Sequence, residues 1–122
     1  MTPRTFADEL LIIGLIDHLD ASYAYTVVAP EEPEATVFSD CRAGAIGLLT
    51  ILLVQGAIEP IVKDGDAWTA SSQPTEQVVL DLTRGWLKEW PDDAPTPGAL
   101  GWFRLTSLGE ELAKGRLEFE DH

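Results

Sequence analysis

The sequence predicts a single α+β domain over residues 1–122, mainly helical, with about four helices and a small antiparallel sheet. Between residues 43 and 54 the only polar side chain is Thr50, which indicates a helix that is apolar on every face. An Asp64-Gly65 pair separates two β-rich runs, as in a hairpin. Apolar residues then recur every three or four positions, as on one face of a helix, at Val79, Leu82, Trp86 and Trp90.

The first helix is predicted over residues 3–22. Thr5 and Asp8 have the spacing of an N-terminal cap, and apolar residues follow at helical intervals. Because the apolar arc is wide, we expect this helix to pack on two neighbours or to form a homodimer with a second copy. Residues 23–29 are β-branched and aromatic, a composition typical of a strand, and residues 30–34 are predicted to be an acidic loop.

The central helix is predicted to begin at Ser39 or Asp40, either of which can cap it. It should end at Gln55, because Gly56 follows and glycine readily adopts the left-handed conformation that closes helices. The residues between these ends are almost all apolar, so this helix is expected at the centre of the core.

The hairpin is predicted from strands at residues 56–62 and 67–70. Pro60 has no N–H to donate, so its strand is expected at a sheet edge or interrupted there. A further helix should open at Pro74 and end at Pro91, since proline is favoured at the first turn of a helix and cannot continue one.

The last third is predicted to contain a loop over residues 92–99 and a strand over residues 100–105. Ser107 and Glu110 form a capping-box pattern for a short helix that ends at Gly115. The remaining residues, 116–122, alternate apolar and charged side chains and are expected to form an edge strand or a loose tail.

The composition is strongly acidic. Eight Lys and Arg stand against 21 Asp and Glu, which leaves a net charge of −13 and a pI near 4.2. Such a field repels phosphate and attracts basic surfaces, although acidity can also serve solubility alone. Cys41 is the single cysteine, which excludes an intrachain disulfide scaffold and favours a cytoplasmic location. The longest apolar run is shorter than the roughly 18 residues of a membrane span, so no membrane association is expected.

Two segments, residues 39–61 and 100–115, resemble the framework of winged-helix domains. The first contains Leu52-Leu53 followed by Gly56 and Ile58, and the second contains Phe103 followed by Leu105-Thr106 and Gly109. The resemblance implies that the helix before Gly56 is a recognition helix and that a basic hairpin forms the wing. Here that helix offers Arg42 alone, and Lys63 in the hairpin stands beside Asp64 and Asp66. These departures remove phosphate contacts, so nucleic acid is an unlikely partner.

No catalytic residue, cofactor site or metal site is predicted, and the chain is not expected to be an enzyme. His18 lies between Asp17 and Asp20, but on a helix flank such close neighbours point in different directions and cannot converge on one ion. Cys41 next to Arg42 would need a base to act as a nucleophile, and a small buried cysteine is the simpler interpretation. An enzyme would require His18 to meet a carboxylate from another element.

The predicted function is an acidic cytoplasmic protein-binding module that neutralises or masks a basic partner, such as a toxin or a regulator. A cluster of aromatic and acidic residues is predicted to bind that partner: Trp86, Glu89, Trp90, Asp92 and Asp93. The alternative is that its tryptophans only fill the core. A second hypothesis is a winged-helix transcriptional regulator that binds DNA through Arg42, Lys63 and Arg104.

Overall fold

The computed structural model describes residues 3–29 and 38–120, and this part of the chain forms five helices and three strands. The α+β class with a small antiparallel sheet is confirmed, with one helix more than predicted. In chain order the elements are α1 Phe6–Gly14, α2 Ala21–Val28, α3 Phe38–Val54, β1 Ile58–Asp64, β2 Ala67–Ala70, α4 Thr75–Glu89, β3 Trp102–Leu105 and α5 Ser107–Glu120.

The predicted first helix is two helices. Thr5 and Asp8 form the predicted capping box, but α1 ends at Gly14. The buried carboxylate of Asp20 then accepts a hydrogen bond from the Tyr23 N–H at 3.0 Å and caps α2. The strand-like composition of residues 23–29 was therefore misleading, because this local cap and packing against α3 outweigh β-propensity.

α1 packs against α5 and α2, which are the two neighbours that its wide apolar arc requires. The homodimer through α1 stays a prediction. The loop expected over residues 30–34 lies outside the described residues.

The central helix α3 ends as predicted, and Gly56 has a φ of 76°. Its buried face supplies much of the core, with Ala45, Leu48, Leu49, Leu52 and Leu53. Burial on every face was wrong, because Val54 is 73% exposed and Ile51 54% exposed. A small domain has a large surface relative to its interior, so some apolar side chains stay exposed and apolar composition alone does not predict complete burial.

The sheet has the order β2-β1-β3 and is antiparallel throughout. The predicted hairpin is confirmed, and Gly65 has the positive φ (64°) that its tight turn requires. The edge position predicted from Pro60 was wrong, because β1 is the central strand. The Pro60 carbonyl accepts from the Ser71 N–H at 2.8 Å, so its missing N–H faces the point where β2 ends and leaves both ladders intact.

The last two helices begin as predicted but differ in detail. Pro74 is the N-cap of α4, whose buried face is Val78, Leu82 and Trp86. α5 begins after Thr106, whose hydroxyl accepts from the Gly109 N–H at 3.2 Å, so the capping box predicted at Ser107 is displaced by one residue. α5 continues through Gly115 to Glu120, which replaces the predicted strand or tail, because packing against α1 supports the added turns.

The C-terminal turns of α5 are held by an arginine–carboxylate cluster. Glu120 accepts from Arg4 Nη2 at 2.6 Å and from Arg116 Nε at 2.9 Å, and these bonds lower its pKa from 4.5 to about 2. A carboxylate whose pKa is depressed by folding stabilises the fold above the unfolded pKa, and this contribution is lost as the pH falls from 4.5 toward 2.

We therefore expect the difference in unfolding free energy between wild type and Glu120→Gln to be present at pH 7 and to vanish near pH 2, in urea titrations at both values. Glu118→Gln, which removes an exposed carboxylate without an ion pair among the described residues, is the matched control. An equal difference at the two pH values would show that the pKa of Glu120 is not depressed.

No helix within residues 3–29 and 38–120 combines the length and the apolar character needed to cross a membrane.

Candidate protein-binding surface

The residues predicted to bind a partner cluster at the C-terminal end of α4, but they divide between core and surface. Trp86 is 0% exposed, and its Nε1 donates to the Asp93 carbonyl at 3.0 Å. Trp86 therefore holds the loop after α4 from inside the core. Trp90 is half-buried, and Glu89, Asp92 and Asp93 are exposed. We call this group of three exposed carboxylates the acidic loop.

Arg42 connects the acidic loop to α3. Its Nη1 donates to the Pro91 carbonyl at 2.7 Å, and its guanidinium lies 5.8 Å from the centre of the Phe38 ring. Because the first turn of α3 contacts the residues after α4, and the last turn of α3 lies beside the beginning of α4, the two helices run side by side in opposite directions.

A groove of about 510 Å³ opens along this pair of helices. We call it the α3–α4 groove. Its lining is apolar apart from threonine hydroxyls and one carboxylate, and consists of Thr50, Val54, Thr75, Glu76, Val79, Leu80 and Thr83. Val54 and Leu80 are 73% and 40% exposed, so apolar surface faces solvent at the groove. A concave and mostly apolar groove of this volume between two helices is a common form of binding site.

The groove side of α4 continues toward the acidic loop. At about 100° per residue, Leu87 and Trp90 fall on the same side of the helix as Leu80 and Thr83. Leu87 is 48% exposed. By the same spacing Lys88 lies on the outer side of α4, whereas Arg84, four residues after Leu80, lies beside Leu80 at the edge of the groove.

Two of the three residues assigned to DNA under the second hypothesis lie together, and the third does not. Lys63 Nζ lies 5.9 Å from the centre of the Trp68 ring, and Arg104 Nη1 lies 3.4 Å from the Trp68 carbonyl oxygen. Arg104 Nε is also 3.6 Å from Glu59 Oε2. Arg42 is occupied at the acidic loop, with no contact to this sheet face.

His18 is not on a helix flank, as the predicted long helix implied. It lies in the link between α1 and α2, with its ring 4.9 Å from the Trp68 ring and 6.5 Å from the Trp102 ring. Its neighbour Asp17 accepts from the Tyr23 hydroxyl, which lowers the pKa of Asp17 and raises that of Tyr23.

Cysteine, histidine and carboxylate side chains are the residues that could form a catalytic or metal site. Cys41 is buried and unbonded, in line with the simpler of the two interpretations. Within residues 3–29 and 38–120 no three His, Cys, Asp or Glu side chains converge in a way that could hold a metal ion. The carboxylate of Asp20 serves structure, because it accepts from the Tyr23 and Gly98 N–H groups and from the Ser22 hydroxyl.

Sequence reasoning missed the α3–α4 groove. Its lining comes from two helices separated by a hairpin, so no local pattern brings Val54 next to Leu80. The available signal was the uninterrupted apolar run of α3, which is longer than one buried face requires. No protein-family model, curated protein or solved structure matches this chain.

Proposed function

We propose that this chain is an acidic protein-binding module that neutralises or masks a basic partner protein. The observation that supports the proposal most strongly is a difference in pairing: several arginines are paired within the described part of the chain, whereas the carboxylates of the acidic loop are not. Arginines at positions 4, 104 and 116 are already engaged with carboxylates of the same chain, and Arg42 is bonded to a carbonyl. The acidic loop, by contrast, has no ion pair among the described residues. The carboxylates of the acidic loop are therefore available to a partner.

Unpaired surface carboxylates act on a basic partner in two ways. They raise the rate of encounter, and they lose little on binding because no internal ion pair has to be broken. The acidic loop is also well positioned, since Trp86 and Arg42 hold its backbone at two carbonyls, those of Asp93 and Pro91. Ordering a loop before binding reduces the entropy cost of association.

The second candidate is the winged-helix regulator. Its support is the placement of Lys63 and Arg104 around Trp68 on one face of the sheet. Against it, the helix that would read bases, α3, exposes Ala43, Ile51 and Val54, and these side chains offer no hydrogen bond to a base edge. The cytoplasmic location and the winged-helix relationship remain parts of the proposal.

The proposal predicts that neutralising the acidic loop weakens binding of the partner. Tagged protein is passed over a lysate of the native host, and a stoichiometric basic protein released by high salt is purified. Its affinity is then measured against the variant Glu89→Gln/Asp92→Asn/Asp93→Asn. We expect affinity to fall about tenfold or more, because close charge pairs at an interface are each worth more than 1 kcal/mol.

The matched control is Glu110→Gln/Glu111→Gln/Glu118→Gln, which removes the same charge from exposed positions on α5. This variant should slow association slightly and leave the dissociation rate unchanged. Equal losses of affinity in the two variants would show that the partner responds to the overall negative charge and not to the acidic loop. Capture of DNA, or of the chain alone, would contradict the proposal and favour the regulator or a self-associating domain.

A further inference from the structure

We infer that the α3–α4 groove binds one amphipathic, cationic α-helix of the partner protein, whose apolar face fills the groove and whose positive side chains meet carboxylates at the two ends. This inference rests on the proposed function and names the partner's binding element. It depends on residues that the sequence did not identify. The binding role of the groove can therefore be disproved while that of the acidic loop is supported.

The walls of the groove expose apolar side chains to solvent. Val54 and Leu80 face each other across it and are too exposed to be explained as core residues. Leu87 extends the α4 wall by one turn beyond Thr83. An amphipathic partner helix presents apolar side chains at intervals of three and four residues along one face. Such a face can pack between the two walls of the groove.

The groove and its continuation along α4 together have the length of a short helix. α4 has 15 residues and is therefore about 22 Å long. On α3, Gly47 lies one turn before Thr50 on the same side of the helix, and an added Cβ there would meet nothing within 4 Å. This open space lets a partner backbone approach α3 closely. A helix of about four turns would reach from Glu76 to the acidic loop.

Carboxylates near both ends of α4 favour a partner helix with positive side chains. Glu76 lines the groove at the beginning of α4, and Asp92 and Asp93 lie beyond its end. Of the two cations of α4, Lys88 is on its outer side and Arg84 lies at the edge of the groove beside Leu80, between the two sets of carboxylates. Lys or Arg near both ends of the partner helix would therefore meet carboxylates, while its centre would meet apolar walls.

The same charges disfavour a second copy of this chain as the occupant. The exposed apolar face of α5, at Leu108 and Leu112, would have to enter the groove together with Glu110, Glu111 and Glu118. Those carboxylates would approach Glu76 and the acidic loop, and like charges at an interface are repulsive. A cationic helix meets no such repulsion.

The test uses a designed helical peptide of about 18 residues, with Leu at intervals of three and four on one face and Lys elsewhere. A scrambled peptide of identical composition lacks the apolar face. Binding is measured by calorimetry, and the site is located from NMR shifts of the Val54 and Leu80 methyl groups. We expect the amphipathic peptide to bind and to shift these methyls, and the scrambled peptide to bind at least about tenfold more weakly.

Two variants separate apolar docking from simple charge attraction. Leu80→Asp and Leu112→Asp each replace an exposed leucine, 40% and 46% exposed, by a carboxylate. General attraction would make both variants bind the cationic peptide slightly more tightly. Docking in the groove predicts that Leu80→Asp binds about tenfold more weakly while Leu112→Asp does not. Val54→Asp, at a position 73% exposed, gives the same comparison if Leu80→Asp fails to fold.

Equal binding by the groove and control variants, or equal binding of the two peptides, would overturn the inference. The natural partner distinguishes this failure from failure of the proposed function. If the affinity of a basic partner falls in the acidic-loop variant but not in Leu80→Asp, the proposed function is supported and binding in the groove is excluded. Loss of affinity in both variants would support the whole surface.

Discussion

Replacing Trp86 by alanine is expected to destabilise the fold by about 3–5 kcal/mol, because a large buried aromatic side chain leaves a cavity when truncated. The indole is 0% exposed and lies 6.2 Å from the Tyr25 ring, so α2 and α4 both lose packing. The bond from Trp86 Nε1 to the Asp93 carbonyl is lost as well. Urea unfolding followed by circular dichroism measures the change.

This result decides between two roles for the same residue. As a partner anchor, Trp86 would lose binding on substitution while stability remained near that of wild type. As a core residue, it loses stability and affects binding only through the acidic loop. Trp90→Ala is the comparison, since Trp90 is half-buried and should cost less stability. Retained stability in Trp86→Ala together with lost affinity would contradict the structure.

Gly109→Ala is expected to destabilise the fold by about 3 kcal/mol, at the upper end of the cost of overpacking. An added Cβ would lie 2.0 Å from the carbonyl oxygen of Ala57, and that oxygen belongs to the backbone that leads into β1. Neither side can rotate out of the way, because the same carbonyl accepts from the Thr106 N–H at 3.0 Å. The clash therefore has to move α5 away from the sheet.

Gly115→Ala in the same helix is the matched control. An added Cβ there would meet nothing within 4 Å, so the higher helix propensity of alanine should stabilise the protein by up to about 1 kcal/mol. Opposite signs for the two glycines in thermal or urea unfolding would verify the close approach at Gly109. Stabilisation by both substitutions would show that α5 does not pack against Ala57 as described.

The elements that local chemistry specifies could be predicted from the sequence. The Thr5–Asp8 capping box, the helix stop at Gly56 and the turn at Gly65 each depend on residues within a few positions of one another. The acidic charge is likewise a property of composition, and the prediction of a basic partner depends on it.

The errors share a physical cause, which is contact between residues distant along the chain. The break after Gly14 depends on Leu19 pairing with Phe103, and the central position of Pro60 depends on which strands become its neighbours. The extension of α5 through Gly115 depends on its packing against α1. None of these contacts is expressed in local propensity.

The proposed binding surface divides in the same way. By itself, the sequence determined that Glu89, Asp92 and Asp93 are close together and that they outnumber the cation beside them, Lys88. Only the tertiary structure decided that Trp86 is buried beneath them and that Val54 and Leu80 share a groove. Helical periodicity defines which side chains share a face of one helix, whereas burial depends on which faces the other elements cover.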